Sequence, residues 1–174
     1  TRLREMFTSL NTLTLAYYFT EDQKYINKAK EIVQVWFINE ETKVNPHVSF
    51  GQAIPGKVSG TMFGIIEWTD IGKVITTLQV LEKNQLLAES ELASMKDWFN
   101  QYLIWLRTSE FGIGASTRTN NHATNYDYQV AGLMIYLGKV NEAEALIEET
   151  MIKRIEAHIA PDGSQPEELR RTKS

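Results

Sequence analysis

Thr124-Asn125-Tyr126-Asp127-Tyr128-Gln129-Val130-Ala131-Gly132-Leu133-Met134-Ile135-Tyr136-Leu137-Gly138-Lys139-Val140 reads as a helix that starts, stops and turns straight into another. Thr124 and Asp127 stand at the spacing of a capping box. Gly138 suits the left-handed position that ends a helix. Beyond the short link from Gly138 to Val140, Ala143, Leu146, Ile147, Met151, Ile155 and Ile159 recur at helical spacing. Two helices joined by so short a link form an antiparallel hairpin.

The same reading extends outward. Leu3, Met6, Phe7, Leu10, Leu13 and Tyr17 mark a first helix. Thr20 and Gln23 suggest a capping box for a second, with Tyr25, Ala29, Ile32, Val33, Trp36 and Phe37 on one face. A third is expected from about Phe63 to Glu82. A fourth is expected from near Ser90, carrying Leu92, Met95, Phe99, Tyr102, Leu103 and Leu106. No segment alternates with period two. Short links (Thr20 to Asp22, Gly138 to Val140) alternate with long ones (Asn45 to Gly60, Ser109 to Ala123). That rhythm predicts an all-α fold of at least three stacked helical hairpins. A toroid of inner and outer helices, a four-helix bundle with additions and a tetratricopeptide-like solenoid all share it. The lack of a fixed-period repeat argues against the solenoid.

The 174 residues are 43% hydrophobic and 23% charged, enough for a sizeable core. A net charge of −4 gives no sign of a nucleic-acid or membrane-surface partner, and an anionic ligand would need a local basic groove. There is no cysteine, so disulfides, thiolate metal sites and a cysteine nucleophile are excluded. The histidines are at positions 47, 122 and 158, outside any His-Glu-x-x-His motif, and neither a metal nor another cofactor is expected. No apolar run nears the roughly 18 residues that span a bilayer. The chain opens on Thr1 directly in a helical pattern, so the numbering is expected to start inside a longer protein.

Unusual residues gather in the long links, where function commonly resides. Asn120-Asn121-His122 precedes a helix start, where backbone N–H groups and the helix dipole favour negative charge. Asn121 can donate an amide N–H, and His122 can donate, accept or take a proton near neutral pH. Together they suit a sugar carboxylate that gains charge during proton abstraction at the neighbouring carbon. Each residue also has a plainer reading. Asn before a helix is often only a cap. Tyr126 and Gln129 fall close enough along the helix to share the site's face, but Tyr126 by default packs. Helical spacing makes most of Trp36, Trp68, Trp98 and Trp105 core. Glu67 and Asp70 suit a surface or cap, and Asp162-Gly163 a turn.

The stretch from Asn120 to Gln129 resembles the Asn-Asn-His-Gly-Thr-x-Tyr-Asp-x-Gln pattern of the alginate lyase family, with Ala123 at the glycine and Asn125 at an aromatic position. Ala16-Tyr17-Tyr18-Phe19-Thr20, Asn45-Pro46, Gln52-Ala53-Ile54-Pro55-Gly56, Gly60 and Gly64-Ile65-Ile66-Glu67 follow the same family in order. So do Trp98-Phe99, Trp105-Leu106, Thr108-Ser109, Pro161-Asp162-Gly163-Ser164-Gln165-Pro166 and the segment from Glu168 to Ser174.

The resemblance implies an incomplete α/α toroid (barrel), with residues 1–174 forming part of one catalytic domain truncated at both ends. It implies a periplasmic or secreted lyase that cleaves an anionic uronic-acid polymer by β-elimination, alginate or polymannuronate being favoured. It gives Asn121 and His122 the carboxylate-neutralising and proton-handling roles, and matches Arg171 to the arginine of the Glu-Leu-x-Arg signature, with Arg170 beside it. A catalytic tyrosine is expected beyond Ser174. Gln52, Tyr126, Gln129 and Arg170 are expected to touch substrate, and Asn121, His122 and Gln52 to line one concave face. The alternatives are a glycoside hydrolase on a similar toroid, drawing on Glu67, Asp70, Asp127 and Asp162, and a non-catalytic carbohydrate-binding helical module.

Overall fold

A computed structural model of the chain describes residues 2–170. The described residues are all-α, and their lone β contact is a single bridge between Ile54 and Val58. They divide into two compact units, residues 2–46 with 70–101 and residues 47–69 with 102–170. No described helix is long and apolar enough to cross a membrane.

In the first unit, α1 (Arg2–Thr20), α2 (Gln23–Val33) and α3 (Ile71–Lys83) pack on one another. Met6, Phe7 and Leu10 of α1 meet Ile26, Ala29 and Val33 of α2 and Val74, Leu78 and Leu81 of α3 in the buried set. Thr14 and Thr77 are buried there too, and their hydroxyls satisfy each other at 2.9 Å. A π-helical turn, Gln34–Ile38, prolongs α2. The expected capping box is replaced. Thr20 closes α1 by donating to the Ala16 carbonyl at 2.6 Å, and Glu21 takes φ +56°, so Asp22 becomes the extended cap and accepts from the Lys24 N–H at 3.0 Å. Ile26 rather than Tyr25 faces the core.

The helix expected from Phe63 is divided. Met62–Trp68 is a 3₁₀ turn, and α3 begins only at Ile71. Close packing accompanies the tight turn: a Cβ on Gly64 would lie 2.4 Å from the Gly51 Cα. The long helix α4 (Glu89–Thr108) starts where expected and buries Met95, Phe99, Tyr102, Leu103 and Leu106.

In the second unit, the segment read as a long link after Ser109 contains a helix, α5 (Glu110–Ser116), capped by the Ser109 hydroxyl, which accepts from the Gly112 N–H at 3.0 Å. Two glycines in seven residues hid it, because glycine weakens the propensity signal. Helix α6 (Asn121–Tyr136) starts three residues before Thr124, since Asn120 rather than Thr124 is its cap. Gly138 ends it at φ +77°, as read from the sequence. α7 (Val140–Leu146), a π turn (Ile147–Met151) and α8 (Ile152–His158) form one continuous helical run returning along α6. Asp162-Gly163 is a turn, with Gly163 at φ +81° and the Ala160 N–H donating to the Ser164 carbonyl at 2.9 Å. A last turn of helix, α9 (Pro166–Leu169), follows.

Candidate active site

Asn121 and His122 lie in the first turn of α6, not ahead of it. That changes what the helix N-terminus offers. The Asn120 side chain accepts from the His122 N–H at 3.2 Å, and the Asn120 carbonyl accepts from the Ala123 N–H at 3.0 Å. The Asn121 N–H donates to the Glu168 carboxylate at 2.6 Å. The anion favoured at this helix end is therefore the protein's own Glu168, delivered by α9. An external carboxylate at this helix end would have to be met by side chains.

Asn121 is half-buried, and its carbonyl accepts from Asn125 Nδ2 at 2.8 Å. Asn125 Oδ1 in turn lies 2.8 Å from the Thr69 hydroxyl. A pocket of about 200 Å³ opens here, lined by Asn121, Asn125, His158, Ile159, Gln165 and Glu168 among others. His122 and Gln52 are not in its lining, so the expected single concave face is not found in this pocket. They meet elsewhere, at Phe63. The His122 ring, 8% exposed, lies 4.9 Å from the Phe63 ring, and Gln52 Nε2 donates to the Phe63 carbonyl at 3.2 Å. Arg118 covers the same ring, its guanidinium carbon 5.5 Å from the centroid. The sequence reading singled out neither Phe63 nor Arg118 for a role, although Arg118 stands only four residues before His122.

One to two turns further along α6 the polar residues meet the core. Gln129 is fully buried. Its Oε1 accepts from the Tyr102 hydroxyl at 2.8 Å, and its Nε2 donates to the Ile65 carbonyl at 3.0 Å. Tyr126 is buried and its hydroxyl donates to the Leu106 carbonyl at 3.2 Å, with burial raising its pKa. Helix packing turns this face inward, and the polar groups of both meet protein partners in this structure. Asp127, read as a cap partner, is instead a buried carboxylate bound by Arg154 Nε at 2.6 Å. Burial is the larger influence and raises its pKa, while Arg154 pulls the other way. Arg154 also donates to the Arg118 carbonyl at 3.1 Å and the Ser116 carbonyl at 2.9 Å, fixing the chain just ahead of Asn120.

Arg170 is exposed and paired with Glu167. Arg171 lies outside the described residues. Of the carboxylates a hydrolase would need, Asp127 is committed to Arg154, and Asp162 accepts from the Ser164 N–H at 2.9 Å within its turn. Trp68 and Trp98 are buried, in line with their helical spacing. Among the described residues, no group of three or more His, Cys, Asp or Glu is placed to hold a metal.

Helical hairpins with an Asn-His pair in the first turn of α6 and a pocket beside it are those of an all-α protein. The comparisons make the class specific. The family model described as alginate lyase matches residues 1–174, and the chain belongs to that family. A solved structure, an alginate lyase from Bacteroides ovatus, is 38% identical over 98% of this chain with a TM-score of 0.90. The match covers 45% of that protein's chain, so the present sequence spans less than half its length. The all-α hairpins are accordingly those of an α/α toroid. No curated protein matches the chain.

Proposed function

We propose that this chain supplies the carboxylate-neutralising part of a polysaccharide lyase that cleaves a uronic-acid polymer, with alginate favoured, by β-elimination. The observation that carries the reading is the Asn121-His122 pair, held in a braced first turn of α6 in a member of the alginate lyase family. The reaction breaks the C5–H bond, forms the C4–C5 double bond and expels the oxygen at C4, which takes a proton. Charge grows on the carboxyl group as C5 loses its proton. Amide and imidazole N–H donors from Asn121 and His122 stabilise that charge, Arg171 adds a full positive charge, and His122 shares this task or serves as base. A tyrosine expected from the family resemblance beyond Ser174 would protonate the leaving oxygen. Family membership also supports a periplasmic or secreted enzyme.

The test is incubation of the complete protein with polymannuronate, polyguluronate and polyglucuronate. Ultraviolet absorbance from unsaturated uronate ends, rising in step with new reducing ends, is the expected result. New reducing ends without that absorbance would mean hydrolysis and defeat the reading.

A further inference from the structure

We propose that Arg118 binds a uronate carboxylate of the polymer beside the Asn121-His122 turn, making the site selective for charged over neutral sugars. This inference rests on the uronan reading above. Among the described cations of the second unit, Arg107 and Lys139 approach Glu142, Arg154 holds Asp127, and Arg170 holds Glu167. Arg118, Lys57 and Lys153 enter no such pair, and of these three only Arg118 lies over an aromatic ring; its side chain is exposed. It is not loose, however. Its guanidinium rests on the Phe63 ring, and the same ring lies against His122. Its own backbone is held at both ends of the turn: its N–H donates to the Ala115 carbonyl at 3.2 Å, and its carbonyl accepts from Arg154 at 3.1 Å.

A guanidinium held over an aromatic ring still presents N–H groups, whose planar fork matches a carboxylate. That contact restricts the side chain in advance, so less freedom is lost when an anion arrives. A chain of net charge −4 needs such a local cation to accept a polyanion. Phe63 thus joins two tasks, lying under Arg118 and packing against His122.

The experiment titrates the complete protein, wild type, Arg118→Gln and Arg118→Lys, with oligouronates and with the same oligomers after carboxyl reduction to alcohols. Kinetics on the intact polymer run in parallel. Arg118→Gln is expected to weaken oligouronate binding and raise KM by roughly fivefold at low salt, with a smaller change in kcat, as for one solvated ion pair. Added salt should shrink the difference, and Arg118→Lys should recover part of it. Reduced oligomers should bind wild type and Arg118→Gln alike. Equal oligouronate binding by wild type and Arg118→Gln would overturn the proposal. So would an equal loss for reduced oligomers, which would mark a structural role, or wild type that binds no oligouronate. Wild type that binds oligouronate through Arg118 yet releases no unsaturated product would defeat the lyase reading while leaving Arg118 assigned.

Discussion

Successive turns of α6 carry similar residue types in different surroundings. The first holds Asn121 and His122 between the loop caps, the Glu168 carboxylate and the Phe63 ring. The second and third hold Tyr126, Asp127 and Gln129, and each polar group there is used inside the protein by Leu106, Arg154, or Tyr102 and Ile65. The difference lies in how the polar groups are engaged. A buried polar side chain must spend its hydrogen bonds on neighbours, and what is spent there is not offered to a ligand. The comparison implies that first-turn substitutions move turnover and second-turn substitutions move stability.

The largest expected effect tests the first half. In the complete protein, Asn121→Ala and His122→Ala should each lower kcat by roughly 100- to 1000-fold, or about 3–4 kcal/mol, the usual loss when a donor to a developing oxyanion is removed. Circular dichroism should show the helical fold retained in both. Variants that fold and keep near-normal turnover would erase the functional half of the contrast.

Next comes the ion pair beneath the turn. Arg154→Gln leaves Asp127, 2% exposed, without its cation, and should cost about 3 kcal/mol of stability at neutral pH. The pH dependence has a definite sign. The folded pKa of Asp127 is raised above the ordinary 3.8. The stability associated with its neutral form is complete below that ordinary value and is lost as pH rises through the folded pKa. Removing Arg154 removes the group that lowers this pKa, so the loss deepens and extends to higher pH. Denaturation from pH 7 toward acid should therefore show the gap between Arg154→Gln and wild type narrowing. A gap independent of pH would mean that Arg154 acts only through the Ser116 and Arg118 carbonyls.

Gln129→Ala should follow at about 2 kcal/mol, because it orphans the Tyr102 hydroxyl and the Ile65 carbonyl. Once folded, at a temperature below its lowered melting point, it should turn over polymer within about twofold of wild type. A large loss of kcat in the folded variant would return Gln129 to the site.

These pairs also explain what could be read from the chain alone. The all-α class, the hairpin turn at Gly138 and the burial of Met6, Leu10, Met95, Phe99 and Leu106 follow from apolar periodicity and one glycine, which are local signals. Asn121 and His122 were visible through the ordered family blocks. Helix α5 was not, because two of its seven residues are glycine. Tyr126 packs, as its default reading has it, but the partners of Gln129 were not visible, since Tyr102 and Ile65 are tens of residues away. Glu168 at the α6 terminus, and Arg118 on Phe63, are likewise tertiary facts that no spacing encodes.

The smallest effect concerns Gln52, where the two halves of the contrast meet. Gln52 is exposed like a ligand contact, yet its amide braces the Phe63 carbonyl like a core residue, and its backbone sits at φ +52°. Gln52→Gly removes one exposed hydrogen bond, worth about 0.5 kcal/mol, and relieves a left-handed conformation that costs a side-chain-bearing residue about 1 kcal/mol. The greater freedom of glycine in the unfolded chain offsets part of that relief. The sum should leave stability within about 0.5 kcal/mol of wild type. Stability alone therefore cannot reveal what the side chain does, but KM can. A residue that only steadies Phe63 should change KM for polymer by less than about threefold, since Phe63 remains packed between Arg118 and His122. A tenfold rise in KM at unchanged stability would instead make Gln52 a direct substrate contact, and the rim of the site would extend from the first turn of α6 to the loop at Gly51.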